Sequence, residues 1–191
     1  MSPPTGDVTL VFTDIEGSTK LWQRYPRAFE SVLAIHHRVI RACIQAEGGY
    51  EVKTEGDAFM VAFSDPVSAV NFCVAAQLAL HETVWPIVLE QSSDNSLKGL
   101  RVRMGIHTGT PSCAIDPVTQ RMDYYGLMVN RAARITHAAM GGQILVSREA
   151  HDTIDWEGLE VVRVDLGPKP LRDLNEATHL HQVLPASLAE R

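Results

Sequence analysis

Two aspartates, Asp14 and Asp57, stand at positions where carboxylates can do chemistry. Asp14 follows the apolar, β-branched run 8–12, which predicts an interior strand, and it opens a short polar loop that contains Gly17. Asp57 comes later in the chain, at the tip of a hairpin predicted over residues 50–63. Carboxylates at two strand ends can share divalent cations, and a Gly-containing loop can turn backbone N–H groups toward phosphate oxygens. The pattern therefore predicts a site for a divalent metal and a triphosphate.

The hydrophobic periodicity predicts the elements that must position these aspartates. The leading order is β-α-β-β-α-β, followed by extra strands and a helix, which predicts an α+β fold with a ferredoxin-like core. The predicted elements are a strand at 8–12, a helix from Pro26 to Gly48, the hairpin 50–63, a helix from Pro66 to about Glu82, a surface loop at 83–98, a strand at 101–108, a polar segment at 109–122, a helix at 126–140, a strand at 143–146, a short helix from Ser147, and strands near 159–166 and 178–183.

Length and composition limit the kinds of protein that this chain can be. With 191 residues, 45% of them hydrophobic, it can bury one substantial core, so we expect a single domain over residues 1–191 with its core at about 8–183. A net charge of −6 argues against a nucleic-acid partner, because proteins that bind the phosphate backbone usually carry a basic face. The three cysteines, Cys43, Cys73 and Cys113, are widely spaced, which indicates free thiols in a reducing compartment.

Membrane and export signals are weak in this sequence. The longest apolar stretch, residues 69–80, is shorter than the ~20 residues that a membrane-spanning helix needs. The N-terminus lacks the basic and apolar regions of a signal peptide. We therefore expect a cytoplasmic protein with no membrane insertion by this segment, although a longer parent protein could be membrane-associated.

Three segments carry a more specific signal, namely Phe-Thr-Asp-Ile-Glu-Gly-Ser-Thr at 12–19, Lys-Thr-Glu-Gly-Asp at 53–57 and Asp-Tyr-Tyr-Gly-Leu-Met-Val-Asn-Arg-Ala-Ala-Arg at 123–134. Together they resemble the three signature blocks of class III nucleotidyl cyclase catalytic domains, in the same order and in the expected elements. The resemblance runs from about Val8 to Val183 and is greatest to fungal-type adenylate cyclases. It implies a homodimer that converts ATP into 3′,5′-cyclic AMP and pyrophosphate, through attack of the ribose 3′-hydroxyl on the α-phosphorus.

The resemblance also implies a metal and phosphate site. Asp14, the carbonyl oxygen of Ile15, and Asp57 would hold two Mg²⁺ or Mn²⁺ ions, which suits the preference of these cations for oxygen ligands. The loop after the first strand would contact the triphosphate, and its hydroxyl residues are also expected to cap the following helix. The residues of this loop are Glu16, Gly17, Ser18 and Thr19.

Three further positions match family residues that act on the ribose and the phosphates. Arg134 matches the arginine that stabilises charge on the α-phosphate, and Asn130 matches the asparagine that orients the ribose. The two are four residues apart on one predicted helix, hence on one face. Arg172 stands where the family has a lysine that contacts the terminal phosphates, and Lys169 is the alternative at that position.

The choice of base follows from donors and acceptors. In the family, the positions of Lys53 and Asp123 read the edge of the purine. Lysine only donates and an ionised aspartate only accepts, which complements N1 and the 6-amino group of adenine and opposes the corresponding groups of guanine. Guanylate cyclases of the family place an acid at the first position and typically a cysteine at the second. ATP is therefore the expected substrate.

The hairpin provides an argument about assembly. If Glu55 and Gly56 form its two-residue turn, Lys53 pairs with Ala58, and the side chains of Lys53 and Asp57 point to opposite faces of the ribbon. One chain would then have difficulty aiming both at one nucleotide. A homodimer with two interfacial sites solves this problem, with metal ligands from one subunit and the remaining groups from the other. Regulatory domains of a longer parent chain stay open as further partners.

Two other functions remain as alternatives. A guanylate cyclase is disfavoured by Lys53 and Asp123, and a regulatory nucleotide-binding dimerisation module with little turnover is disfavoured because the metal aspartates and the arginine are all present.

Away from these blocks, His179 and His181 share one strand face. No Cys, Asp or Glu cluster adjoins them in the sequence, which favours a solvated pair over a metal site.

Overall fold

The computed structural model describes residues 2–85 and 99–189. The elements, in chain order, are β1 Val8–Ile15, α1 Ser18–Arg24, α2 Pro26–Ala46, β2 Tyr50–Glu55, β3 Ala58–Phe63, α3 Pro66–Glu82, β4 Val102–Gly109, β5 Ser112–Ile115, β6 Met122–Tyr125, α4 Leu127–Ala138, β7 Ile144–Ser147, α5 Arg148–His151, β8 Val161–Lys169, β9 Thr178–Pro185 and α6 Ala186–Ala189.

A seven-stranded sheet in the order β2-β3-β1-β4-β7-β9-β8 organises the molecule. Its first four strands pair antiparallel, and β1, α2, β2, β3, α3 and β4 follow one another in the order of a ferredoxin-like core. The predicted α+β fold is therefore confirmed. β4 and β7 are parallel, and β9 and β8 extend the sheet as antiparallel strands at its far edge.

The sheet is buried on both faces because successive residues of a strand point to opposite sides. Val11 and Ile15 of β1 pack with residues of α2 and α3 in the main core cluster, and we call this side the α2–α3 face. Leu10 and Phe12 pack instead with Tyr124 and with Ala132 of α4, and we call this side the α4 face. The even-numbered residues of β1, which include Asp14, therefore belong to the α4 face.

Helix α4 lies against β1 and β4 at very short range. A Cβ atom at Gly105 would stand 2.4 Å from Thr136 Oγ1 and 2.5 Å from the Thr136 backbone nitrogen, so only glycine fits there. Thr136 Oγ1 also donates to the carbonyl oxygen of Phe12 at 3.3 Å. The position of α4 over the sheet is thus fixed by a backbone approach that a larger residue would prevent.

Three sequence predictions differ from the structure. The β2–β3 hairpin pairs Glu55 with Ala58 and Lys53 with Met60, with a bulge between Glu51 and Lys53. Its turn is therefore Gly56-Asp57, one residue later than predicted, and the predicted partner of Lys53 was wrong by two residues. An additional helix, α1, begins directly after Gly17. The polar segment 109–122 contains strand β5, which forms a hairpin with β6. Most of the loop predicted at 83–98 lies outside the described residues.

Among the described residues, no helix combines the length and the apolar character that crossing a bilayer requires.

His36 of α2 is an unusual member of the core. Its side chain is 0% exposed and packs edge-on against Phe59, with ring centroids 5.7 Å apart. Neither of its ring nitrogens has a hydrogen-bond partner. Burial, reinforced by the neighbouring His37, lowers the pKa of His36 from 6.5 to about 4. The folded chain therefore holds this imidazole in its neutral form.

Replacing His36 with leucine is expected to make folding less sensitive to acid. Between pH 6.5 and about 4 the unfolded chain binds a proton at His36 that the folded chain excludes, so stability present above pH 6.5 is lost as the pH falls. His36→Leu should remove about 1–2 kcal/mol of the decrease in the free energy of unfolding between about pH 7.5 and about pH 5. Urea unfolding at both pH values measures this effect in wild type and His36→Leu. The control is His137→Leu, at an exposed histidine. An acid-induced loss of stability in His36→Leu as large as in wild type would contradict the prediction.

Candidate active site

Asp14 and Asp57 meet at the end of β1. The β1–β3 pairing brings the Gly56-Asp57 turn beside Ile15, whose backbone N–H donates to Asp57 Oδ2 at 2.9 Å. Burial raises the pKa of Asp57, the Ile15 N–H bond lowers it, and the nearby Asp14 carboxylate raises it again. Two like charges in a partly desolvated place repel each other, so this corner of the sheet favours a bound cation.

Arg103 already supplies one positive charge to this corner. It lies directly opposite Asp14 in the β1–β4 register, and its guanidinium forms an ion pair with the Asp14 carboxylate. Both side chains are only 21% exposed, and Arg103 Nε is buried without a hydrogen-bond partner. No motif in the sequence marks Arg103, because its role depends on a strand pairing between residues 89 positions apart. The alternation of β4 alone would have placed it on the α4 face, with Asp14.

The loop after β1 leads straight into α1. Gly17 has φ 71° and ψ 22°, a left-handed conformation that glycine adopts without strain, and it occupies the N-cap of α1. No side chain caps this helix, so the expectation that Ser18 and Thr19 act as caps is wrong; they are its first two residues. Their N–H groups belong to the first turn, which has no intrahelical acceptors.

Glu16 uses its carboxylate to hold this loop in place. Its Oε2 lies 2.5 Å from the guanidinium of Arg101, and its Oε1 accepts from the Gly141 N–H at 3.0 Å. The loop is thus tied to the start of β4 and to the turn after α4. Since these contacts engage both carboxylate oxygens, any contact of the loop with a phosphate falls to its N–H groups and hydroxyls.

Lys53 and Asp123 meet although they are 70 residues apart in the sequence. Lys53 Nζ lies 2.9 Å from Asp123 Oδ2, and the other oxygen of Asp123 accepts from the Tyr124 N–H at 2.8 Å. The pair borders a cleft of about 350 Å³ between β2 and the β5–β6 hairpin. A donor and an acceptor therefore stand side by side at the rim of a cleft.

Asn130, Arg134 and Arg172 lie on and beside α4. Arg134 is an ion-pair partner of Asp173, with 2.7 Å between its Nη2 and Oδ2, and Arg172 Nε lies 3.6 Å from the same carboxylate oxygen. Asn130 is exposed one turn earlier on α4. Asp173, at φ 61°, thus joins the two arginines. This sharing favours Arg172 over Lys169 as the second cation beside Arg134.

These contacts form separate groups within one chain. The carboxylate group at β1, the Lys53–Asp123 pair and the Arg134–Asp173 pair share no hydrogen bond or ion pair among the described residues. The corrected hairpin register also determines the face of the sheet on which Lys53 lies. Lys53 pairs with Met60, which pairs with Phe12, so Lys53 lies on the α4 face together with Asp14. The opposite-face argument for a homodimer compared Lys53 with Asp57. Because Asp57 lies in the Gly56-Asp57 turn, strand alternation no longer fixes the direction of its side chain, and that argument has lost its premise.

Comparison with known proteins identifies the family. The family described as adenylate and guanylate cyclase catalytic domain matches residues 1–175. An adenylate cyclase from Lachancea kluyveri is 47% identical over 159 residues, 78% of this chain and 9% of that protein. One from Neurospora crassa is 50% identical over 157 residues, 77% of this chain and 7% of that protein. The chain thus spans less than a tenth of the length of these curated relatives.

Solved structures agree with these matches. An adenylate cyclase from Trypanosoma brucei in its monomeric state has a TM-score of 0.90 and 33% identity, covering 96% of this chain and 91% of that one. The adenylyl cyclase CyaB from P. aeruginosa has a TM-score of 0.77 and 26% identity, covering 96% of both chains. By sequence and by fold, the chain belongs to the family of adenylate and guanylate cyclase catalytic domains.

Proposed function

We propose that this domain converts ATP into 3′,5′-cyclic AMP and pyrophosphate, at sites shared by two copies of the chain. The observation that carries the choice of ATP is the Lys53–Asp123 pair, with a donor and an acceptor 2.9 Å apart beside a cleft. The adenylate cyclases among its relatives support the same activity. The reaction is an intramolecular phosphoryl transfer, so the work of the protein is to position the ribose, the phosphates and the base.

The residues at the end of β1 fit a divalent cation. Asp14, Asp57 and the carbonyl oxygen of Ile15 are an all-oxygen donor set, which suits Mg²⁺ or Mn²⁺. The raised pKa of Asp57 and the contact of Asp14 with Arg103 both indicate negative charge that calls for compensation. When bound there, two such ions would supply Lewis-acid activation of the ribose 3′-hydroxyl and neutralise charge on the triphosphate.

The phosphates would be held by backbone and by arginines. Gly17, Ser18 and Thr19 would offer N–H groups from the start of α1, and Arg134 would exchange its contact with Asp173 for the α-phosphate. Arg172 contacts the same Asp173 carboxylate as Arg134, which supports the assignment of Arg172 to the terminal phosphates. Exposed Asn130, one turn before Arg134, would orient the ribose.

On binding, adenine would break the contact between Lys53 and Asp123 and would form one hydrogen bond with each of the two side chains. Lys53 would donate to N1, and the 6-amino group would donate to Asp123, so both charged groups keep a partner. Guanine would present a donor to the lysine and an acceptor to the carboxylate. A site of this kind rejects the wrong base because the buried polar groups would lose their partners.

Exposed apolar residues support a shared site. Ile115 and Tyr125 of the β5–β6 hairpin are 52% and 46% exposed, and Leu127 at the start of α4 is 83% exposed. Val118, in the loop between the two strands, is 88% exposed. These residues flank both Asp123 and Asn130. A second copy that covered them would bury apolar surface and bring its own β1 carboxylates to these groups.

Mixing two inactive variants tests both the chemistry and the sharing of the site. Asp57→Asn keeps an acceptor for the Ile15 N–H but removes the charge, and Arg134→Ala removes the cation on α4; each should lower cyclic AMP production from Mn²⁺-ATP at least ~100-fold. In an equimolar mixture about half of the dimers are mixed and carry one intact site of two, so about a quarter of the wild-type activity should return.

The control for Asp57→Asn is Glu55→Gln, which neutralises an exposed acid in the same hairpin and should retain activity. No recovery in the mixture, with both variants folded and dimeric, would contradict the shared site. No turnover by the dimeric wild type, with nucleotide binding intact, would favour the regulatory-module alternative.

Exchanging the two base-reading residues tests the substrate. Lys53→Glu combined with Asp123→Cys should lower kcat/KM for ATP at least ~100-fold and raise the ratio of GTP to ATP turnover, because the donor and acceptor pattern then opposes adenine. Arg41→Glu is a matched charge reversal, since Arg41 pairs with Glu51 and stacks on Phe59 of the α2–α3 face. If wild type prefers GTP, or if the exchange leaves the ratio unchanged, the assignment of Lys53 and Asp123 is wrong.

Arg103 should compete with the metal for Asp14. Arg103→Met removes a positive charge from the cation site, so Mn²⁺ affinity in the absence of nucleotide should rise about five- to tenfold, while the metal-free protein becomes less stable. Calorimetric Mn²⁺ titration and thermal unfolding with and without Mn²⁺ measure the two effects. Arg101→Met, at the neighbouring arginine that pairs with Glu16, should leave Mn²⁺ affinity within about twofold of wild type. Weaker Mn²⁺ binding in Arg103→Met would contradict the competition.

A further inference from the structure

Asp165, His179 and His181 cluster at the far edge of the sheet. One possible ligand atom from each of the three side chains lies within 4.8 Å of the other two. β8 and β9 pair Asp165 with His181, and His179 Nε2 lies 2.6 Å from Asp165 Oδ1. No local pattern indicates a carboxylate beside these histidines, because Asp165 reaches them only through this pairing. The premise for a merely solvated histidine pair is therefore wrong.

The cluster is remote from the proposed catalytic residues. β8 lies four strands from β1, roughly 19 Å at the usual strand spacing of ~4.8 Å. His181 pairs with Val146, which pairs with Ile106 of the main core, so the histidines lie on the α2–α3 face. Asp14 lies on the other face. The mechanism proposed above thus makes no use of these three residues.

Neighbouring aromatic rings hold His181 in position. Its ring stacks on that of His151, with centroids 3.8 Å apart and an angle of 12°, and His179 stacks behind it at 5.1 Å. Trp156 packs against His151 at 5.0 Å and donates its Nε1–H to the His151 carbonyl oxygen. His181 Nδ1 is buried and has no hydrogen-bond partner. A neutral, oriented imidazole with an unpartnered nitrogen can donate the lone pair of that nitrogen to a metal ion.

We propose that Asp165, His179 and His181 form a binding site for a divalent transition metal such as Zn²⁺. Imidazole nitrogens select borderline metals of this class over Mg²⁺, which prefers oxygen ligands. The exposed side of Asp165 leaves room for water at a further coordination position. The bound ion would link β8 to β9 next to the irregularity between Asp165 and Gly167.

The directions of the pKa shifts of His181 and Asp165 agree with this site. Burial, together with the neighbouring His151, lowers the pKa of His181, so its ring is neutral at neutral pH and carries a free lone pair. The Gly167 N–H and His179 lower the pKa of Asp165. Metal binding requires the loss of the proton between Asp165 and His179. It also requires their 2.6 Å separation to widen to about 3.3 Å, given metal–ligand bonds of about 2.0–2.1 Å. Asp165 is 61% exposed, and its Oδ1 also accepts from the Gly167 N–H at 2.7 Å, so this widening requires a small shift of an exposed carboxylate against one backbone hydrogen bond.

Calorimetric titration of Zn²⁺ into the whole chain without nucleotide tests the proposal. A Cys113→Ser background removes the one exposed thiol among the free cysteines of the described residues. Apart from any Zn²⁺ held at Asp14 and Asp57, one equivalent of Zn²⁺ should bind and raise the melting temperature, and Co²⁺ in its place should show a visible absorption band. His179→Gln and Asp165→Asn should each weaken Zn²⁺ binding at least ~10-fold and abolish the rise in melting temperature.

Two controls separate this site from the catalytic one. Asp57→Asn should bind the same equivalent of Zn²⁺, and His137→Gln, at an exposed histidine of α4, should do likewise. Asp165→Asn is the variant least able to disturb folding because Asp165 is exposed, and it keeps the test decisive if His179→Gln unfolds. Zn²⁺ binding that survives both ligand variants, or that is lost in Asp57→Asn, would overturn the proposal. If wild type binds no Zn²⁺, the proposal is wrong, and the contact between Asp165 and His179 is only an ion pair.

Discussion

The site depends on keeping two carboxylates next to each other where water is scarce. Asp14 and Asp57 repel, and burial of Asp57 adds to the cost of its charge. The fold offsets this cost in two ways, through the Ile15 N–H bond to Asp57 and through the guanidinium of Arg103 beside Asp14. Both depend on the pairing of β1 with its two neighbours, since β3 delivers Asp57 and β4 delivers Arg103. The central strand triplet is therefore the platform of the site as well as the centre of the core.

Helix α4 places the proposed ribose and phosphate residues, Asn130 and Arg134, over that platform. The close approach at Gly105 fixes how far α4 stands from the sheet, and the contact of Thr136 with Phe12 fixes its alignment. This placement of α4 sets the position of Arg134, whose guanidinium forms an ion pair with Asp173. Arg172 contacts the same carboxylate. A glycine buried in β4 thus has a functional consequence, although it contacts no proposed ligand.

Sequence patterns predicted elements better than they predicted pairings. The apolar run of β1, the helical periodicity of α2 and the Asp65-Pro66 start of α3 are clear local signals, and the predicted positions of these elements were close to those observed. The hairpin register failed because Glu55-Gly56 and Gly56-Asp57 are both plausible two-residue turns, and a bulge at Glu51/Lys53 leaves no simple alternation to decide between them. Arg103 and Asp165 were missed for a related reason, because each acquires its partner through strand pairing between distant segments. Local patterns hold no information about such partners.

If Lys53 and Asp123 read the base as proposed, their state without nucleotide bears on how the base is selected. Their side chains are 42% and 17% exposed, and a pair at this exposure contributes at most about 1 kcal/mol. Opening the pair for adenine therefore costs little, and each member gains a new partner. A base with the opposite pattern would open the same pair and leave the ammonium group facing a donor and the carboxylate facing an acceptor. In the proposed site, discrimination would then arise from the penalty imposed on the wrong base rather than from tight binding of the right one. The Tyr124 N–H bond to Asp123 adds to this penalty, because it keeps the carboxylate from turning away from a mismatched base.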